Sequence, residues 1–169
     1  MDRYATRIPV EEHILSVIDQ GPAIGADIGP GGRRFSWIDE GFDFGSQGIH
    51  LATEANGAQS VAVVLELGDG LQQPRDDGWA LNLEGTAFWP VGDLRVETAD
   101  VERVPLAQVE PGKYRVRVWA MGMQEGLAGL EEWRRRFINW SDAGCEGPAP
   151  TPEPSPETWL IQATRVASV

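Results

Sequence analysis

KYRVRVWA, residues 113–120, alternates side chains of different character at a period of two. The segment sets Tyr114, Val116 and Val118 against Arg115, Arg117 and Trp119. Successive residues of a strand point to opposite faces of a sheet, so this pattern predicts a strand with one buried face. Pro111-Gly112, directly before it, predicts a turn.

The same alternation recurs along most of the chain, and turn residues separate the alternating segments at short intervals. The further predicted strands are HILSVIDQ (13–20), GIHLATE (48–54), SVAVVLELG (60–68), WALNLEGTAFWPV (79–91), DLRVETA (93–99) and TWLIQATRV (158–166). SVAVVLELG is nearly all apolar, which predicts a central strand. Gly85 stands inside one alternating run and predicts a bulge or bend.

One segment, residues 126–140, has helical periodicity. Its apolar stripe at i, i+3, i+7 and i+10 consists of Leu130, Trp133, Phe137 and Trp140. Two i, i+4 pairs, Glu131 with Arg135 and Glu132 with Arg136, are expected to support the helix. The run Arg134–Arg136 is compatible with a nucleic-acid patch, but a solvated face paired to these glutamates is the preferred interpretation.

A proline-rich segment, residues 147–157, follows the helix. Its prolines favour an extended conformation, and at ~3.1 Å per residue it could return the chain over ~30 Å. Many short strands, one late helix and no βαβ rhythm predict an all-β fold, an antiparallel β-sandwich. We expect a single domain, 1–169, with an insert at 121–156 that contains one inserted α-helix and most of the proline-rich return segment.

The charge balance is strongly acidic. The 169 residues contain 14 basic and 26 acidic side chains, for a net charge of -12. Such a surface repels nucleic acid and anionic membrane, and it favours basic partners or serves solubility. Cys145 is the single cysteine, so no intrachain disulfide is expected. Without a signal peptide or a ~20-residue apolar span, a cytoplasmic location is predicted.

No catalytic or metal pattern stands out. His13 and His50 lie inside predicted strands, Cys145 lies in a loop of small residues beside Glu146, and GPGGRRF (29–35) lacks the ending of a phosphate-binding loop. The acids offer neither calcium-loop spacing nor two singled-out carboxylates for glycoside hydrolysis. We therefore expect a binding protein, not an enzyme, with no cofactor and no metal.

WIDEGFDFG, residues 37–45, places three acids among three aromatic residues. An acidic binding loop would use Asp39, Glu40 and Asp43 as charges and Phe42 and Phe44 as hot-spot anchors. Alternatively, Trp37, Phe42 and Phe44 face the core and the acids solvate a turn. Both interpretations remain open from the sequence.

The order of motifs resembles the bacterial competence-associated nuclease inhibitor family, ComJ. The resemblance rests on W-x-D-E at Trp37, G-I-x-L at Gly48, the apolar strand VAVVLEL, residues 92–120, and the closing TWLIQATRVASV. It covers roughly residues 10–120 and 157–169. The family closes the interval of residues 121–156 with a short loop, so the helix and most of the proline-rich segment are a departure.

That resemblance implies a small acidic protein that inhibits a DNA-degrading nuclease. Carboxylates can occupy a basic active site where phosphates would lie, and long-range attraction speeds the encounter. Toxin immunity proteins follow similar logic. An alternative function is a small-molecule or carbohydrate-binding module, since the chain has seven tryptophans. Exposed tryptophans clustered on one sheet would favour sugars, and an acidic face would favour a basic protein, a nuclease or toxin.

Overall fold

The structure is a computed structural model. It describes residues 1–10, 13–20, 42–44, 48–55, 59–74, 77–98 and 103–166. These ranges contain ten strands and one helix. The elements are β1 (Asp2–Val10), β2 (Ile14–Asp19), β3 (Phe42–Phe44), β4 (Gly48–Ala52), β5 (Gln59–Leu67), β6 (Ala80–Trp89), β7 (Asp93–Thr98), β8 (Arg103–Gln108), β9 (Gly112–Met121), α1 (Met123–Asp142) and β10 (Thr158–Arg165).

The strands form two five-stranded sheets. Sheet A has the order β1-β5-β10-β9-β6, and sheet B has the order β3-β4-β2-β7-β8. All pairs are antiparallel except β5 with β10, which run parallel. The predicted all-β fold with one inserted helix is confirmed, with this one parallel pair as an addition.

The core lies between the two sheets, as the alternation predicts. In β9, Tyr114, Val116 and Val118 are buried, while Arg115 is exposed. Their faces meet Leu15 and Val17 of sheet B in one continuous apolar cluster. Tyr114 also packs on Trp89, with ring centroids 4.5 Å apart.

Two local expectations need correction. Gly85 pairs with Val116 in an unbroken ladder, and the register shift of β6 lies between Ala80 and Asn82. The predicted bulge at Gly85 is therefore wrong. Alternation of apolar residues does not predict β1, because its buried apolar residues, Ile8 and Val10, fall only at its end.

The helix α1 packs against the proline-rich segment. Trp133 Nε1 donates a hydrogen bond to Pro150 O at 3.0 Å, and Trp140 Nε1 donates to Gly147 O at 3.2 Å. Phe137 lies between the two indoles, with centroid distances of 5.6 and 5.4 Å. Of the predicted stripe, only Leu130 is fully buried. The stripe therefore mainly serves this hairpin of helix and extended chain.

The ion pair on this helix differs from the expected ones. Arg135 pairs with Glu132, three positions away, and not with Glu131 at four. The same glutamate was expected to pair with Arg136. Positions three and four residues apart are both neighbours on a helix surface, so sequence spacing alone does not choose between them.

The hairpin leaves and rejoins sheet A at one place. Met121, the last residue of β9, is the ladder partner of Thr158, the first residue of β10. Gly122 adopts φ +75°, and a Cβ there would lie 2.6 Å from Pro156 O. Because both conditions exclude ordinary side chains, glycine is required at this crossing.

Candidate partner-binding surface

The predicted acidic loop is only partly described. Asp39 and Glu40 lie outside the described residues, while Phe42, Asp43 and Phe44 form β3, an edge strand of sheet B. In the ladder, Phe42 pairs with Leu51, Asp43 with His50, and Phe44 with Ile49. Leu51 and Ile49 are fully buried and His50 is half-buried. The partner-binding role of these five residues stays a prediction.

The register aligns Asp43 with a polar row across sheet B. One residue from each strand contributes, in the order Asp43, His50, Ser16, Glu97 and Arg103. Ser16 Oγ lies 2.7 Å from His50 Nδ1, and Arg103 Nε lies 2.7 Å from Glu97 Oε2. The row is perpendicular to the strands, so no sequence spacing reveals it.

The Ser16–His50 contact has the residue types of a nucleophile and its base. Ser16 lies inside β2, which pairs with β4 on one side and β7 on the other. Backbone N–H groups around it are therefore engaged in the ladders and do not converge on a site for an oxyanion. We interpret the contact as part of a polar sheet surface. The half-buried His50 agrees with its predicted place in a strand.

A second acidic feature lies at one end of the sandwich. It is an open groove of about 920 Å³ with Asp2, Asp69 and Glu110 at its border. Arg165 forms an ion pair with Glu110. Tyr114 OH donates to Glu110 O at 2.5 Å, and burial raises the pKa of this phenol. These residues come from distant parts of the chain, and sequence reasoning missed the groove.

Other predicted features are distributed as follows. Cys145 is exposed, and the GPGGRRF segment lies outside the described residues. Within the described part of the chain, no cluster of three or more His, Cys, Asp or Glu side chains could hold a metal ion. No helix in that part is long and apolar enough to cross a membrane.

The six tryptophans that the structure describes do not form an exposed platform. Trp89, Trp119 and Trp159 are buried, and Trp79, Trp133 and Trp140 are only partly exposed. Trp37 lies outside the described residues. None of these six side chains is fully exposed, so they do not form the cluster of exposed tryptophans on one sheet that would favour sugars, and the carbohydrate alternative gains no support from them.

Comparisons with known proteins find structures but no sequence family. No family model matches the sequence, and a search of curated proteins finds no match. The crystal structure of ComJ, inhibitor of the DNA degrading activity of NucA, from Bacillus subtilis, matches with a TM-score of 0.56. The match has 11% identity and covers 96% of this chain and 95% of that one. The two proteins share a fold.

A second structure extends the likeness. A protein described as crocagin biosynthetic gene J matches with a TM-score of 0.54 and 13% identity, over 98% of both chains. The agreement spans nearly the full length of each protein, so it concerns the whole architecture and not one sheet. At these identities the ComJ resemblance extends to the fold alone.

Proposed function

We propose that this protein binds a basic protein and blocks its activity, and that the partner is a nuclease. The observation that carries the proposal is the fold shared with ComJ, which is described as an inhibitor of a DNA-degrading activity. The net charge of -12 supports the choice of a basic partner. A nuclease holds phosphates with basic groups, and carboxylates can compete for the same groups.

The proposed contact surface begins at the edge strand β3. It comprises Asp39, Glu40 and Asp43 as charges, with Phe42 and Phe44 as apolar anchors. Its continuation is the polar row of sheet B, where Arg103 neutralises Glu97 at one end. We place the contacts with basic groups at the opposite end of the row, at Asp43, as part of this proposal.

A nuclease toxin with this chain as its immunity protein fits the same chemistry. Both versions require an acidic protein that covers a basic active site, and both place the protein in the cytoplasm with its target. They differ in the identity of the nuclease and not in the recognition physics.

Inhibition assays test the proposal directly. Purified protein is titrated into plasmid-degradation reactions with NucA and, separately, with nucleases encoded beside this gene. We expect stoichiometric loss of degradation for one of them, and a one-to-one complex by size-exclusion chromatography with light scattering. Undiminished degradation by every nuclease at micromolar protein would remove the proposed function.

A further inference from the structure

A narrow groove crosses the outer face of sheet A. Its volume is about 320 Å³, and its position is separate from the polar row of sheet B. Sheet A contributes Arg3, Glu66, Leu160 and Gln162 to its lining, and the remaining lining residues include Gln72, Gln73, Pro74 and Trp79. The groove is therefore lined by polar, charged and apolar side chains together.

The floor belongs to a second polar row, with one residue from each strand of sheet A. Register places Arg3, Glu66, Gln162, Arg117 and Glu84 side by side. Gln162 Nε2 donates to Glu66 Oε2 at 3.1 Å, and Arg117 pairs with Glu84 at the far end. Glu66 and Gln162 are therefore fixed relative to each other at the groove.

Several buried polar atoms at and beside this floor lack a hydrogen-bond partner within the described residues. Gln162 is only 3% exposed, yet its Oε1 has no hydrogen-bond partner within the described residues. Arg117 Nε and Trp119 Nε1, on the neighbouring strand β9, are also buried without a partner. Buried polar atoms of native proteins are mostly satisfied. Because Gln162 lines the groove, its unsatisfied amide oxygen is a candidate acceptor for a donor from outside.

The Glu66 carboxylate is also only weakly paired. Within the described residues its one ion pair, with Arg3, spans 3.4 Å, and the Arg3 side chain is 65% exposed. Charge-assisted hydrogen bonds of this type are normally ~2.7–2.9 Å long. Arg3 is thus loosely held at the border of the groove, and another cation can replace it.

We propose that this groove binds a guanidinium group, supplied by an arginine side chain of the partner. That the arginine comes from the partner rests on the proposed function. That the groove binds a guanidinium group does not. A planar guanidinium can donate to Glu66 and Gln162 Oε1 at once while its face stacks on Trp79. A lysine ammonium lacks the planar arrangement of N–H donors, and its interaction with the indole ring of Trp79 is expected to be weaker.

The test uses the whole protein and N-acetyl-L-arginine amide as the probe. Titration is followed by NMR at the Trp79 indole N–H and the Gln162 side-chain amide. We expect saturable shifts at both groups, and at least about fivefold weaker binding of N-acetyl-L-lysine amide. Absence of saturation, or equal affinity for the two probes, would overturn the proposal.

Three variants make the test specific. Glu66→Gln should abolish saturable binding, and Arg3→Ser should strengthen it by removing the resident competitor. Glu84→Gln is the matched control, because it removes a carboxylate from the same row outside the groove, and binding should be unchanged. Melting curves establish that each variant is folded. Binding that survives Glu66→Gln, or weakens in Arg3→Ser, would refute the assignment.

Nuclease inhibition separates this inference from the proposed function. Arginine binding without inhibition of any nuclease supports the guanidinium site and removes the proposed function. Inhibition that persists undiminished in both Glu66→Gln and Trp79→Leu leaves the function and overturns the groove as the partner's anchor. Parallel loss of arginine binding and of inhibition supports both.

Discussion

The Glu157 carboxylate is fully buried and ties three donors together. Its oxygens accept hydrogen bonds from Glu54 N and Ala55 N, both at 3.1 Å, and from Trp159 Nε1 at 2.7 Å. Glu157→Ala would leave these donors unsatisfied, so we expect a loss of about 2–4 kcal/mol in unfolding free energy. Urea unfolding measures it. Glu153→Ala, an exposed control, should stay within about 0.5 kcal/mol, and an equal cost for both would contradict the role.

The same carboxyl group makes a pH-dependent contribution. Burial raises its pKa above the usual 4.5, although hydrogen bonds from Trp159, Ala55 and Glu54 oppose the shift. The folded protein then holds a proton that the unfolded chain has released, and stability from this group falls as pH rises through the raised pKa. The cost of Glu157→Ala should therefore be larger at pH 4 than at pH 8, by urea titration at each. A larger cost at pH 8 would mean that the hydrogen bonds outweigh burial.

Charge reversal at the proposed contact surface tests single residues of the function. Asp39→Lys with Asp43→Lys should weaken partner binding at least ~30-fold, or ~2 kcal/mol, because repulsion replaces attraction. Calorimetry measures the affinity. Glu131→Lys with Asp142→Lys, at exposed acids of α1, makes the same charge change elsewhere and should weaken binding far less.

The melting temperature distinguishes the two interpretations of this loop. It should change little for an exposed contact surface, since surface substitutions usually shift stability by less than ~0.5 kcal/mol each. A large decrease in the melting temperature would indicate that the segment is a structural turn. Unchanged affinity with an intact fold would remove it from the interface.

At the level of elements, the hairpin of α1 and proline-rich chain should be separable from the sandwich. Replacing residues 125–153 by a short Gly-Ser linker should preserve a cooperative thermal transition, because Met121 and Thr158 remain ladder partners. Loss of the buried Leu130 should cost about 2–5 kcal/mol. Circular dichroism should show the helix signal lost and the β signal kept.

A longer deletion provides the contrast. Extending it through residue 157 also removes Ser155, whose N–H donates to Ser60 O at 3.0 Å, and the Glu157 carboxylate. We expect little soluble protein from this variant. Equal solubility of both deletions would show that the junction does not anchor the hairpin.

Period-two alternation was sufficient for strands whose buried face is apolar throughout, such as β9. It was insufficient for β1, where Arg3 and Arg7 lie on a sheet edge and few inward positions are fully buried. The helix was found, but Met123–Asp142 exceeds the expected 126–140 at both ends. Neither end of the helix carries a sequence pattern that would distinguish helix from turn. At the N-terminal boundary the residue is a glycine, Gly122, in the left-handed conformation.

At the level of the whole molecule, the net charge predicts which macromolecules the protein does not bind. The protein should show no binding to duplex DNA at ~0.15 M salt, since the charge opposes phosphate and screening is incomplete at contact distance. Fluorescence anisotropy with a labelled duplex measures this. A micromolar transition would contradict the expectation and point to Arg134–Arg136, for which Arg135→Gln is a suitable follow-up.

The candidate sites could be identified only from the folded structure, because they combine residues that are far apart in the sequence. Charge and composition favoured a basic partner, yet the two polar rows arise from register between strands far apart in the chain. Glu66, Gln162 and Arg3 meet at the groove although they come from β5, β10 and β1. An alternation pattern identifies which face a residue occupies, but not which residue lies opposite it.

The position of β10 has a consequence for synthesis of the protein. Among the described strands this one comes last along the chain, yet it occupies the centre of sheet A between β5 and β9. On the ribosome, both neighbours therefore emerge with an unfilled gap between them, and the sheet closes only after residues 158–165 have appeared. Long-range pairing of this kind slows folding, and unpaired strands invite association with other chains. Nascent chains stalled before residue 158 should consequently bind holdase chaperones, while those released after residue 165 should not.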